Sequence, residues 1–584
     1  MISVILSWLF ISILAFCIGT GFHALLTRSE TTTDKKLLHF TVCCITGLLV
    51  IAFLSTLYCL FLPLDIFSNL FLCIIAFCAA WLGRKQLKAA IRYNLDQIRS
   101  TGWFTIFLLI AFTFVLAYLS YLPSSHYDDG LYYSTSIKWL EEYGTVKGLA
   151  NINTRIGYDS SWFILQASFG FRWLKAGLFN DLNGLMCLYV FAYSLGGMRR
   201  LANGDTSIAN GLRALCFLPL LAYHFGSGSD FMLFNVNFLS SSTADLPVCL
   251  ITWMIFILYA EGAEHGMPNR PRQWLLIFYI MILLTIKLSS APLLLLPALF
   301  VVNIMRRRNW SLLFLTSGFA ALTVVPWLIR NVMVSGYIVF PFSALDFFEV
   351  DWKVPIEHAR YHENAVMAYA VDPKFDFNTK FRASVSEWFP GWFDRLFYIQ
   401  AVVFSAVVIQ SVVFVSIAAF QLFKRNYWWF QNNFSNIFFS VTAFAGITFW
   451  FMKGPDFRFG YGFAGIYLLL GLTLMFRYFL EGRFKFVGNL VYLCTFLILV
   501  IHYKPAFKSM PKVLFKPPVP YRMPENMKVA REGLQKFILT EGESWNAELP
   551  ACNESEYLLI KPTLRGKSIK EGFRASLKEN QMDQ

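Results

Sequence analysis

The feature that most constrains this chain is a succession of apolar segments, each near the length a helix needs to cross a bilayer. The hydrocarbon core is about 30 Å thick, so about 20 apolar helical residues span it. Such segments fall near residues 2–26, 38–61, 65–83, 102–122, 182–198, 211–224, 244–260, 272–287, 290–305, 311–333, 396–422, 434–451, 461–479 and 487–503. Those at 211–224, 272–287 and 290–305 are short, so the pattern predicts twelve to fourteen crossings. Only 15% of the residues are charged against 57% hydrophobic, whereas soluble domains are about a quarter charged. The expected fold is an all-α polytopic membrane protein.

Loop charges test this threading, because Lys and Arg in short loops mark the cytoplasmic side. Alternate loops carry Arg28/Lys35/Lys36, Arg84/Lys85/Lys88/Arg92/Arg99, Arg199/Arg200/Arg213, Arg270/Arg272, Arg306/Arg307/Arg308, Lys424/Arg425 and Arg477/Arg483/Lys485. The intervening short loops 62–64 and 225–243 have none, and 453–460 has only Lys453 and Arg458. The formal charge of +14 is therefore read as membrane orientation, with no nucleic-acid partner. Both termini then lie outside, with three larger non-cytoplasmic pieces at 123–159, 334–395 and 504–584. The first 27 residues are apolar from the start and lack a basic leading region, so they read as a membrane helix.

Three regions follow. Residues 1–100 hold N-terminal helices and, at 84–100, a basic amphipathic stretch suited to the membrane surface. Residues 101–503 form the main transmembrane region, and 504–584 a small C-terminal α/β or irregular domain with turn clusters KPPVP and MPEN. The stretch 160–178 carries Arg172, Lys175 and two glycines and reads as an interfacial or re-entrant helix. Ten of the 11 cysteines lie in apolar stretches as small hydrophobes, and Cys552 stands alone in a polar region, so no disulfide framework is expected.

Candidate chemistry gathers on the outer side. The loop SSHYDDGLYYSTSIKWLEEYG places Asp128 and Asp129 just after a membrane helix that ends at Pro123. A helix over about 131–143 follows, expected to lie flat on the membrane and to stop at Gly144. The aspartates can cap that helix, or one can serve as a general base on an acceptor hydroxyl at the water–lipid boundary. Arg330 follows Pro326-Trp327, Lys287 lies in TIKLSSAP and Arg458 in KGPDFRFGYG. Cations at membrane depth are costly, so they either snorkel or face an anion, and a lipid phosphate is the natural one. His126, Arg155 and Asp159 are further candidates for substrate contact, while Asp245 reads as a helix cap. The loop 334–395, with nine acids, six Lys/Arg residues and many aromatics, is able to fold over the bundle. No GxxxxGK[ST] loop, HExxH or zinc-spaced CxxC pair occurs.

Two stretches resemble the GT-C class of membrane glycosyltransferases. HYDDGLYY (126–133) is similar to the Tyr-Asp-x-Gly-Leu-Tyr segment of the first large outer loop in bacterial GT-C-like proteins. PWLIRNVMVSGYIVFPF (326–342) looks like the Pro-Trp-x-x-Arg-Asn…Gly…Pro stretch of that class, and GPDFRFGYG (454–462) is a weaker late-helix match. The resemblance covers roughly residues 100–480, and three extra segments precede the loop here. It implies an inverting transfer of a sugar from a polyprenyl-phosphate donor to a glycan, lipid or protein acceptor, in a bacterial inner membrane with the site facing out. Asp128 would be the base, and Arg330 with Arg458 or Lys287 would hold the donor phosphate. A divalent metal bridging Asp128 and that phosphate is compatible, but no ligand set commits to one. The alternatives are a transporter or flippase of a lipid-linked saccharide, and a polysaccharide polymerase or ligase.

Overall fold

The computed structural model describes residues 1–28, 34–216, 237–264, 266–372, 374, 381–479, 484–532 and 535–576. Among them, nine helices are long and apolar enough to cross a membrane: Ile2–Leu26, Phe40–Cys59, Trp103–Tyr121, Asp245–Ala263, Leu288–Arg306, Trp310–Ser335, Tyr398–Phe423, Phe434–Lys453 and Phe457–Tyr478. Two bent pairs, Ile66–Leu82 with Arg84–Arg99 and Lys485–Ile501 with Lys504–Val513, raise this to eleven. Three further expected crossings are not in this set. Arg270–Ile286 is 17 residues long, Leu182–Ala202 is less apolar for its length, and most of 211–224 lies outside the described residues, as does Asp230, an acid of the loop 225–243.

Burial sorts the helices into a centre and a rim. The apolar window of Asp245–Ala263 is 83% buried and that of Tyr398–Phe423 only 6%. The latter exposes Val408, Ile409, Val415 and Phe420, a surface suited to contact with lipid. At the N-terminus, Ile2–Leu26 and Phe40–Cys59 approach backbone to backbone. A Cβ on Gly19 would collide with the carbonyl of Cys43, and one on Gly47 with that of Ala15. Small residues allow this approach, which suits packing where no hydrophobic force joins helices.

Ile66–Leu82 and Arg84–Arg99 meet at 88°. The second is basic and buries only Ala90, so a first helix standing upright would leave the second along the surface.

The three pieces assigned to the outer side share one core. Trp139, Val146 and Ile152 of the first loop pack with Tyr337, Phe340 and Val354 of the second and with Phe537, Cys552 and Phe573 of the C-terminal region. In that region β1 (Met527–Glu532) pairs antiparallel with β2 (Gln535–Thr540), and β2 pairs parallel with β3 (Ala551–Asn553). A second ribbon joins β4 (Pro562–Leu564) to β5 (Phe573–Ala575).

Two local expectations are corrected. The residues after Asp128 form a five-residue π-turn, Asp129–Tyr133, and then the helix Ser134–Glu142. That helix does not lie flat on a membrane: Thr135 to Glu141 are all buried, because the C-terminal region covers them. It does end as predicted, with Gly144 at φ +75° donating back to Trp139 and Leu140. Residues 160–178 are likewise no single interfacial helix. They fold as a fully buried helix Ser161–Ser168 and a 3₁₀ turn Arg172–Leu174.

Candidate active site

The π-turn presents two adjacent aspartates in opposite settings. Asp129 is fully buried. Its carboxylate accepts from the Ser124 hydroxyl and, at 3.0 Å, from the backbone N–H of Ser242. Burial raises its pKa above the ordinary carboxylate value, offset in part by these bonds. Asp129 therefore ties the turn to the segment before Asp245 and is not a free catalytic acid. Neither aspartate caps a helix through its side chain. The π-turn itself is a form that recurs at functional sites.

Asp128 faces a partly open cluster. Its Oδ2 accepts from Arg458 Nη1 at 3.2 Å and from the Tyr133 hydroxyl at 3.3 Å. His126 lies beneath, its Nδ1 3.2 Å from the Asp128 backbone N–H, which donates to it. Arg458 also bonds Asp456 Oδ2 at 2.9 Å and stands 3.9 Å from Asp245 Oδ2. Lys287 completes the cluster with an ion pair to Asp245 Oδ1 and lies 3.7 Å above the Phe459 ring. Lys287, Arg458 and Asp245 line a cleft with Ser289 and Phe459.

Local sequence explains these placements. Lys287 falls where the helix Arg270–Ile286 breaks into the 3₁₀ run Leu288–Leu294, and its extended backbone turns the side chain out of the helical path. Asp456 follows Gly454-Pro455 in the turn that opens the helix Phe457–Phe479, which positions Arg458 in its first turn. The segment 334–395 closes over this turn: Trp392 Nε1 donates to the Pro455 carbonyl at 2.9 Å.

Other expected site residues lie elsewhere. Arg330 pairs with Asp159 and donates to Thr145 Oγ1 at 3.1 Å. Among the described residues no contact joins it to Asp128, Asp129 or Arg458. Its side chain is 3% exposed and that of Asp159 4%, against 21% for Asp128, 19% for Arg458 and 27% for Lys287. Arg155 forms an ion pair with Glu556 at 2.7 Å, while Glu556 also accepts from the Thr154 backbone, so this pair fastens the C-terminal region to the loop.

The sequence reading missed Asp245 as a cluster member and did not weigh Asp456. The available signal was an acid opening an apolar helix, a costly placement that calls for a partner. Among the described residues no three His, Cys, Asp or Glu side chains gather as metal ligands. The carboxylates of Asp128, Asp245 and Asp456 converge instead on a guanidinium. This donor set does not fit a divalent metal.

The profile of one family, a domain of unknown function (DUF8201), matches residues 1–465. The chain belongs to that family. The matched stretch contains Asp128, Asp245, Lys287, Asp456 and Arg458 and stops short of the C-terminal region. No curated protein and no solved structure matches the chain.

Proposed function

We propose that this DUF8201 chain is a membrane glycosyltransferase of GT-C type, moving a sugar from a polyprenyl-phosphate donor to an acceptor hydroxyl on the non-cytoplasmic face. Support comes first from one observation: a partly open carboxylate, Asp128, is held by Arg458 beside a cleft that also carries Lys287. That juxtaposition supplies a base and two cations at the boundary between the apolar helices and the polar outer layer.

In this reading Asp128 takes the proton of the acceptor hydroxyl. The acceptor oxygen attacks the anomeric carbon in line, the bond from that carbon to the phosphate oxygen breaks, and the phosphate leaves with the electron pair. Lys287 and Arg458, in place of Arg330, stabilise the leaving phosphate. Asp245 anchors Lys287, and Asp129 fixes the π-turn. The cluster holds three carboxylates against two cations, so an arriving phosphodiester competes with a carboxylate for a cation. Asp456, on the turn before Arg458, is the one that yields. About fourteen crossings with both ends outside complete the proposed topology.

One observation favours transport of a lipid-linked saccharide instead. Lys287 sits at a helix break and pairs with Asp245, and broken helices with charged groups are common in transporters. The two readings separate in one preparation: the full chain in nanodiscs and in proteoliposomes, given a panel of radiolabelled polyprenyl-phosphate hexoses. Glycosyl transfer should appear, and Asp128→Asn should lower its rate by about 10²–10⁴. Transfer undiminished in Asp128→Asn removes the base role, and translocation without a new glycosidic bond selects the transporter.

A further inference from the structure

A second cleft lies between the helix Ser134–Glu142 and the C-terminal region. Its walls include Glu141, Arg172, Tyr521, Arg522, Trp545 and Asn546. Its empty space, open mouth included, is about 600 Å3, against about 260 Å3 measured in the same way for the Lys287–Arg458 cleft. Two hydrogen bonds tie the walls of the larger cleft to the π-turn. Ser124 lines the larger cleft while donating to Asp129, and Trp545 donates its backbone N–H to the Gly130 carbonyl at 3.1 Å.

The polar groups here are built in and incompletely used. Glu141 Oε2 accepts from Arg172 Nε at 2.6 Å, and Arg172 Nη1 donates to Asn546 Oδ1 at 2.8 Å. Among the described residues, Glu141 Oε1, on a side chain 3% exposed, has no hydrogen-bond partner, nor does the buried Tyr521 hydroxyl. A buried carboxylate oxygen without a donor is costly, so a ligand that brings a donor gains that energy. Phosphates and carboxylates bring acceptors and so offer no donor to Glu141 Oε1. A cationic ligand would meet Arg172 and Arg522, which lie 4.2 Å over Tyr521 and 4.3 Å over Trp545. What remains is a neutral ligand dense in hydroxyl groups.

We propose that this cleft is a saccharide-binding subsite, with Glu141 and Tyr521 bonding sugar hydroxyls. That its occupant is the acceptor rests on the glycosyl-transfer reading; the binding itself does not. A saccharide held there would lie beside Ser124 and Trp545, both hydrogen-bonded to the π-turn.

The test uses the full chain in nanodiscs, free of glycoside detergent and with no lipid-linked donor present. Saturation-transfer NMR is recorded against a panel of methyl hexosides, methyl N-acetylhexosaminides and their short oligomers. At least one neutral glycoside should bind, and Tyr521→Phe and Glu141→Gln should each weaken it fivefold or more. Tyr521→Phe removes only an unpartnered hydroxyl, so loss of binding there is not loss of fold. Binding of no glycoside, equal binding in both variants, or preference for inorganic phosphate or a lysine-rich peptide would overturn the proposal. Glycoside binding without any sugar transfer would keep the subsite and remove only the acceptor role.

Discussion

Replacing Arg330 with Met should reveal a residue that holds the fold, and the cost can be worked from its surroundings. Arg330 is the ion-pair partner of Asp159, and both are buried. Asp159 Oδ2 has no partner among the described residues, so Arg330→Met leaves the whole carboxylate without a donor. Breaking a buried pair in this way costs about 3–5 kcal/mol. A ceiling comes from protonation: neutralising a carboxyl of ordinary acidity, pKa about 3.9, at pH 7 costs about 1.36 × 3.1, or about 4 kcal/mol. At pH 5 the same escape costs about 1.5 kcal/mol. The destabilisation should therefore be about 3–4 kcal/mol at pH 7 and less than half that at pH 5. The double variant Arg330→Met/Asp159→Asn should lose less than Arg330→Met alone, because no buried charge remains. Chemical denaturation in bicelles at both pH values, read from midpoint shifts at constant slope, supplies the four numbers. A cost below about 1 kcal/mol at pH 7, or one independent of pH, would refute the reasoning and reopen Arg330 as a phosphate ligand.

Three further outcomes are expected. Gly130→Ala should loosen the C-terminal region, since a Cβ there would sit 2.7 Å from the Trp545 ring and 2.9 Å from Glu543 Cδ; overpacking of this kind costs about 1–3 kcal/mol, and limited proteolysis after residue 523 should become faster. Burial pushes the Glu141 carboxyl up to about 7 against the pull of Arg172. The folded chain then holds a proton that the unfolded chain has released above about pH 4.3, so stability falls as pH rises from about 4.3 to 7. Glu141→Gln should flatten that part of the profile in denaturation curves. Asp456→Asn should tighten binding of a polyprenyl-phosphate hexose several-fold in native mass spectrometry, by freeing Arg458 from a partly exposed ion pair worth about 0.2–1 kcal/mol.

The sequence made the membrane architecture legible because a 20-residue apolar run has few other uses. Loop charges also grouped 123–159, 334–395 and 504–584, which pack into one core. Periodicity could not show that the helix Ser134–Glu142 would be covered from both sides. Its polar residues find their partners some 400 positions away, where Lys138 donates to the Ala547 carbonyl. Arg330 and Arg458 looked alike as cations near the outer ends of helices. Only tertiary contact shows that Arg330 meets a single buried acid while Arg458 meets two partly open ones, Asp128 and Asp456, and the buried Asp245. Asp128 and Asp129 are neighbours in sequence, yet the π-turn sends one to solvent and buries the other. Asp245 was misread as a cap because its partner, Lys287, is 42 residues distant.

The central claim is that Asp128, Arg458 and Lys287 handle a lipid-linked sugar together. It is tested most directly by a cryo-EM structure of the full chain with a polyprenyl-phosphate hexose bound. Phosphate density should lie within hydrogen-bond reach of Lys287 Nζ and Arg458, with the anomeric carbon toward Asp128. Lipid phosphate bound at Arg330, or on the side of the bundle carrying Arg84–Arg99, would contradict it.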